Sequence, residues 1–187
     1  MACLSVTYIH QTMTMKTEGP IITTLYDSPC GTLVLGSAGD ELCLCDWLNG
    51  RRHRENCKRV ERLLGRPIEQ GTSAVLKRTA RELDEYFAGQ RREFDIPLLF
   101  AGTEFQKRVW QALLSVEYGT TVSYVAIAAM AGYPAAVRAA AGAVGANAIS
   151  ILAPCHRVIG SNGTLTGYDG GLDAKHFLLN REKVRGL

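Results

Sequence analysis

The chain has 187 residues, 47% of them hydrophobic and 21% charged, with a formal net charge of +3. That length buries a core as one large domain or two small ones, and the charge is far too low for binding to nucleic acid by electrostatics alone. The apolar tracts, near residues 122–131 and 135–148, are interrupted by Pro, Arg, Gly and Asn and are too short to span a bilayer. No basic stretch followed by an apolar core opens the chain, so a cytoplasmic protein is expected.

Charge and cysteines sharpen these bounds. Residues 1–95 carry 13 basic and 13 acidic side chains, whereas residues 96–187 carry 8 and 5, so the positive excess lies in the second half. The six cysteines (Cys3, Cys30, Cys43, Cys45, Cys57 and Cys155) include no C-x-x-C pair, and their spacing specifies no zinc site. Free thiols are expected. Cys43 and Cys45, two apart in a strand-like run, are expected on one face of a core.

In chain order, residues 1–19 show no period and read as a loose lead-in. From residue 21 three strand-like runs, 21–26, 32–35 and 41–47, are separated by short Gly-containing turns, the pattern of an antiparallel meander. Residues 51–64 are Arg-rich, with Val60, Leu63 and Leu64 at helical spacing; the run Arg51-Arg52-His53-Arg54 reads as a solvated face or as a phosphate contact. After Ser73, the residues Leu76, Ala80, Leu83 and Phe87 form one apolar stripe, and the helix is expected to end at Gly89. Residues 94–98 read as extended, and a domain boundary is expected between about residues 90 and 102.

The second half is expected to be mainly helical. Thr103 caps a helix carrying Phe105, Val109 and Leu113 on one face, and Gly119 breaks it. Ser123 caps a second helix, from Tyr124 to Ala131, and Pro134 suits the first turn of a third running toward Ala146. Helix, short turn and helix over about 123–146 is the layout of a helix-turn-helix. The third helix is nearly all Ala and Gly around Arg138, so its backbone can approach closely either another helix or a nucleic-acid groove. A last helix is expected from Asp173, with Phe177 and Leu178 facing inward and Glu182 near its end.

Between these helices lies Pro154-Cys155-His156-Arg157-Val158, followed by a Gly-rich loop from Gly160 to Gly171. Taken alone, Cys155 reads as a small core residue at a strand end beside two loop residues. That is the commoner case for such a pair; the alternative is a nucleophile, because neighbouring His or Arg favours the reactive thiolate.

The set resembles the O6-alkylguanine-DNA alkyltransferases, also called methylated-DNA-[protein]-cysteine methyltransferases, in their bacterial single-function form. The resemblance covers about residues 20–185 and is strongest from Phe105 to Glu182. It rests on Pro154-Cys155-His156-Arg157-Val158, with Arg138 seventeen residues before the cysteine, Asn147 eight before, Tyr124 thirty-one before, Tyr168 thirteen after and Glu182 twenty-seven after. It implies an α+β protein: residues 20–95 a small domain with antiparallel sheet and helices, and 96–187 a mainly helical domain holding the cysteine.

The implied function is direct-reversal DNA repair, with irreversible, single-turnover transfer of the alkyl group from O6-alkylguanine to Cys155 and O4-alkylthymine as a further candidate substrate. His156, through a water, and Glu182 are implied as the relay that draws off the thiol proton. Asn147 joins that network and holds the turn, and Tyr124 faces the leaving guanine. Arg138 fills the space of a base flipped from the minor groove of double-stranded DNA, with Ala135, Ala139, Gly142 and Gly145 giving the close approach. Val158, Tyr168 and Gly170 belong to the substrate pocket, while Arg157 braces the fold. No metal or cofactor is implied, and a monomer is expected. Departures from the family pattern are Asp169 where some members carry serine, Ala148 where proline is usual and Ala141 where glycine is usual. The competing readings are an alkyltransferase-like protein that binds the lesion without transfer, against which Cys155 argues, and a Cys-His hydrolase, which leaves the Arg138 helix unexplained.

Overall fold

A computed structural model describes residues 19–184. The loose lead-in expected over residues 1–19, with Cys3, lies almost wholly outside them. The first part of the chain is a four-stranded sheet with two helices, and the second part is helical. No helix among the described residues is long and apolar enough to cross a membrane.

Strands β1 (Ile21–Ser28), β2 (Gly31–Ala38) and β3 (Glu41–Trp47) form the expected antiparallel meander. A short β4 (Ile68–Gln70) pairs parallel with β1, giving the order β3-β2-β1-β4. The register slips between Gly36 and Ser37, which pair with Leu44 and Leu42, so Cys43 is the extra residue of a bulge. That bulge overturns the expected shared face: Cys45 packs with Leu33, Leu35 and Trp47, but Cys43 packs in a separate cluster with Ile21 and Val60.

Helix α1 (His53–Leu64) packs on β3 through Val60, while Leu63 is exposed rather than apolar-packed. Helix α2 (Ala74–Ala88) begins where the Ser73 hydroxyl accepts the Leu76 N–H and ends at Gly89 in the left-handed region, φ 77°. Its inward face holds Leu76, Leu83 and, beyond the expected stripe, Tyr86.

Residues 96–99 are extended and lie against the outer edge of β3, where Leu42 N–H donates to the Pro97 carbonyl and Leu99 N–H to that of Leu42. The segment leading to Cys155 takes the same edge: Cys45 N–H donates to Ala148 O at 2.9 Å and Ser150 N–H to Cys45 O at 2.7 Å. The edge strand thereby becomes the platform that carries the cysteine approach.

Helix α3 (Glu104–Leu114) starts with a capping box between Thr103 and Gln106 and closes at Ser115, before the Gly119 expected to break it. Helix α4 (Tyr124–Met130) is capped by the Ser123 hydroxyl, and α5 spans Val137–Gly145. Pro134 sits in the turn before α5 rather than in its first turn; the N–H of Ala136 closes that turn on Tyr133 O. The last carbonyls of α5 are satisfied from other elements, Ala143 O by Trp110 Nε1 and Ala146 O by Arg59 of α1.

A single 3-10 turn, Cys155–Arg157, leads into β6 (Val158–Ile159), which pairs parallel with β5 (Val122–Ser123). Helix α6 (Gly171–Arg181) begins two residues earlier than expected. Its Leu178 is buried as expected, but Phe177 is exposed and Lys175 takes the interior position instead.

Candidate active site

The turn that presents Cys155 is held by the Asn147 side chain. Its Nδ2 donates to Ala153 O at 2.8 Å, to Ile149 O at 3.3 Å and to Cys155 Sγ at 3.3 Å, while its Oδ1 accepts the Ile149 N–H. Asn147 thus holds the turn, as expected, and bonds directly to the thiol; it makes no direct hydrogen bond to His156 or Glu182 among the described residues. Ile151 on the same approach is a β-branched residue at φ 71°, a local strain that the surrounding packing enforces.

Cys155 lines a cleft of about 390 Å³ together with Tyr124, Asn147, Ser150, Gly145 and Tyr168. Burial pushes its thiol above the ordinary value, against the Asn147 hydrogen bond and the Lys175 charge, which favour the thiolate. The resting sulfur is therefore a thiol, and ionising it needs a base. A larger cleft of about 530 Å³ lies behind the turn against Pro154 and Arg157 and does not include the sulfur.

Behind the thiol, His156 Nε2 lies 2.8 Å from Glu182 Oε1, both side chains fully buried. Glu182 accepts four more bonds: Tyr86 OH to Oε1 at 2.8 Å, Arg157 Nη2 to Oε1 and Nε to Oε2 at 2.9 Å each, and Gly119 N–H to Oε2 at 3.1 Å. Burial opposes its charge, but the His156 hydrogen bond and the Arg157 guanidinium outweigh it and hold the carboxyl down at about 2. Burial, with Arg157 and Lys175, lowers the His156 pKa. Because an ionised carboxylate only accepts, the neutral ring carries its proton on Nε2 and leaves Nδ1 as the basic nitrogen. Nδ1 is buried and has no partner among the described protein groups.

Arg157, expected to brace the fold, also donates to Val116 O and, together with His156, holds Glu182 charged. Lys175 was not singled out from the sequence. It is fully buried, donates to Val158 O at 2.6 Å and Thr166 O at 2.9 Å, and burial brings its pKa down to about 8. A lysine in line with Leu178 and Leu179 on α6 was the available signal. Ser150, also missed, is fully buried on the cleft wall, and its side chain acts with Asn147 in favouring the Cys155 thiolate.

The remaining expected residues fall on two surfaces. Tyr124 is half-buried at the start of α4, its hydroxyl 3.4 Å from Thr166 O. Tyr168 meets Trp47 edge-on, with ring centroids 5.9 Å apart, and Gly170 lies where a Cβ would come within 2.5 Å of the Trp47 ring. Val158 is buried on β6 with its carbonyl engaged by Lys175. Asp169 accepts the Arg52 N–H at 3.0 Å, tying the Gly-rich loop to the start of α1. Ala135, Arg138, Ala139 and Gly142 are all exposed along one side of α5 and the turn before it, and Gly142 has open space where a Cβ would project. The structure thus gathers Cys155, Asn147, Tyr124 and Tyr168 at one cleft with His156 and Glu182 behind it, and leaves the Arg138 side outward.

Comparison with known proteins gives the same set of relatives from three directions. The ribonuclease-like domain of 6-O-methylguanine DNA methyltransferase matches residues 21–100, and its DNA binding domain matches residues 104–184. A methylated-DNA–protein-cysteine methyltransferase of Mycobacterium tuberculosis is 43% identical over 159 residues, covering 85% of this chain and 90% of that protein. The constitutive enzyme of Bacillus subtilis is 38% identical over 167 residues, 86% of this chain and 94% of its own. The crystal structure of Mycobacterium tuberculosis OGT in complex with DNA superposes with a TM-score of 0.72 at 40% identity, over 87% of this chain and 92% of that one. On both its sequence and its fold, the chain belongs to the 6-O-methylguanine DNA methyltransferase family.

Proposed function

We propose that the chain repairs DNA by transferring the alkyl group of O6-alkylguanine to Cys155, once per molecule. The observation that carries this reading is the pairing of a cleft-lining thiol, held by Asn147 at 3.3 Å, with a buried His156–Glu182 couple whose histidine is the next residue of the same 3-10 turn. The sulfur attacks the alkyl carbon, the S–C bond forms as the C–O6 bond breaks, and the guanine leaves with the electron pair. The thiol proton goes to His156, whose Nδ1 is the free basic nitrogen, and Glu182 stabilises the imidazolium that results. Tyr124, on the cleft wall, supplies a donor to the departing base. Because the product is a thioether with no activated carbonyl, water does not release it, and the protein is consumed.

Residues 96–187 carry this chemistry and residues 20–95 support it. The unit of α4, turn and α5, about 123–146, acts as a helix-turn-helix whose small outer face enters the minor groove of duplex DNA. Arg138 takes the place of the flipped nucleotide, while Tyr168 and Gly170 close over it and the backbone at Val158 lies on its edge. The protein acts as a monomer in the cytoplasm. A lesion-binding role without transfer is disfavoured by the thiol itself.

Intact-mass measurement after incubation with a duplex containing O6-methylguanine tests the reading: one methyl is gained on Cys155, and none in Cys155→Ala. Unmodified wild-type protein that still holds the lesion would point instead to binding without transfer. Arg138→Ala is expected to slow repair of the duplex by about 10²-fold, through the unassisted cost of unstacking, and to leave reaction with free O6-benzylguanine within about twofold. Equal losses on both substrates would remove Arg138 from base flipping.

A further inference from the structure

We infer that Tyr86, on α2 in the first part of the chain, is a positioning residue for the alkyl transfer, its hydroxyl fixing the Glu182 oxygen that holds His156. The inference rests on the reading of Cys155 as the alkyl acceptor. The Tyr86 side chain is fully buried, and its hydroxyl reaches Glu182 Oε1 at 2.8 Å from 96 residues away in sequence. Its ring is set by edge contacts with Phe87 and Tyr118 and a tilted contact with Phe94.

A buried tyrosine hydroxyl needs an acceptor wherever it lies. What gives this one a consequence for the reaction is that it shares its acceptor atom with the imidazole. Oε1 takes three donors, Tyr86 OH, His156 Nε2 and Arg157 Nη2, whereas Oε2 takes Arg157 Nε and the Gly119 N–H. Arg157 grips both oxygens, so the hydroxyl and the imidazole share what remains of Oε1. The charged and titratable groups facing this pair are Arg157 from the cysteine turn, Lys175 from α6, Tyr86 from α2 and Tyr118 from the segment after α3. Burial and Glu182 push the Tyr86 pKa far up, so it remains a donor at every working pH.

The direction of the effect follows from the donor count. With one donor fewer, Oε1 becomes a stronger acceptor for Nε2–H and stabilises the imidazolium relative to the neutral ring. His156 then keeps its second proton to higher pH, and the basic form needed to take the thiol proton appears later. The looser carboxylate also lets the imidazole stray from its place.

The test measures single-turnover benzylation of Cys155 by O6-benzylguanine from pH 5 to 9, read by intact mass on the full chain. Tyr86→Phe keeps the ring and its packing. It is expected to move the acid limb of the rate profile up by about 0.5 pH unit and to lower the plateau about tenfold, part of what a positioned base contributes. 3-Fluorotyrosine at position 86 keeps the shape and donates more strongly, so it is expected to move the limb to lower pH, a readout that survives if Tyr86→Phe fails to fold. In a Glu182→Gln background, Tyr86→Phe is expected to add less than twofold. Profiles of both position-86 variants that overlay the wild type would overturn the inference while leaving the alkyltransferase reading intact. A wild-type protein that takes no benzyl group fails earlier, by removing the reaction and the Tyr86 role together.

Discussion

Among the described residues lie two cysteine–histidine–carboxylate clusters, and one of them opens onto a cleft. In the first part of the chain, Cys57 Sγ lies 3.7 Å from His53 Nε2, and His53 Nδ1 lies 3.1 Å from the buried Asp46 Oδ2, the order of contacts found in a nucleophilic triad. In the second, Cys155 lines the cleft while His156 turns Nε2 to Glu182. The surroundings separate them. Cys57 packs against an apolar cluster, and its thiol is pushed up to about 11 by burial and by the negative charges of Asp46 and Glu61. Cys155 is also raised by burial, but an amide donor and the Lys175 charge act on it in the opposite sense, and Arg157 stands behind Glu182. A triad-like set of distances thus does not by itself make a nucleophile; what sets Cys155 apart is its opening onto a cleft and the donors that favour its thiolate.

The largest expected effect puts that contrast in one assay. Cys57→Ala is expected to leave methyl transfer from duplex O6-methylguanine within about twofold, whereas Cys155→Ala abolishes it, both followed by intact mass. Methyl on Cys57 in the wild-type protein would break the comparison outright.

A second effect tests the cation that distinguishes the working cluster. Arg157→Met leaves the buried Glu182 carboxylate without its guanidinium, which is expected to cost about 3–5 kcal/mol in urea unfolding. The pH dependence has a definite sign. Glu182 is held at about 2, below its ordinary 4.5, so its contribution is complete above pH 4.5 and is lost as pH falls from there toward 2. That difference corresponds to about 3 kcal/mol. In Arg157→Met the carboxyl is less depressed, so this acid-linked loss shrinks. Acid limbs of equal depth in the two proteins would show that Arg157 does not set the charge of Glu182.

How legible these clusters were depended on sequence distance. The Thr103 and Ser123 caps, the helix that follows Ser73 and the Gly89 stop are written within four residues or at one glycine, and each stands where the pattern placed it. The Cys155 motif was readable because its neighbours are its chemistry. Tyr86 was not, since nothing near it hints that its hydroxyl meets Glu182 across 96 positions. Helix α6 misled for another reason. Hydrophobicity turned Phe177 inward, but two carbonyls, of Val158 and Thr166, make burial of Lys175 the better solution and leave Phe177 exposed. On β3, one bulged residue was enough to send Cys43 and Cys45 to different clusters.

The smallest expected effect lies in the Cys57–His53–Asp46 cluster and runs opposite in pH. The Asp46 hydrogen bond raises the His53 pKa, against a smaller opposing effect of burial and with the charges of Asp46 and Asp169 adding to it. A raised histidine stabilises fully below its unfolded value, near 6.5, and its contribution fades as pH climbs through the folded value. His53→Gln is therefore expected to cost about 1 kcal/mol at pH 6 and less at pH 8, measured by urea unfolding at both. Asp46 keeps the Asn56 Nδ2 donor at 3.1 Å in either case, which limits the loss. A penalty that grew toward pH 8 would mean that His53 pairs with Asp46 as a neutral ring. The cluster would then lack the positive charge that its low-pH stability requires, and the two sites would differ less than their geometry says.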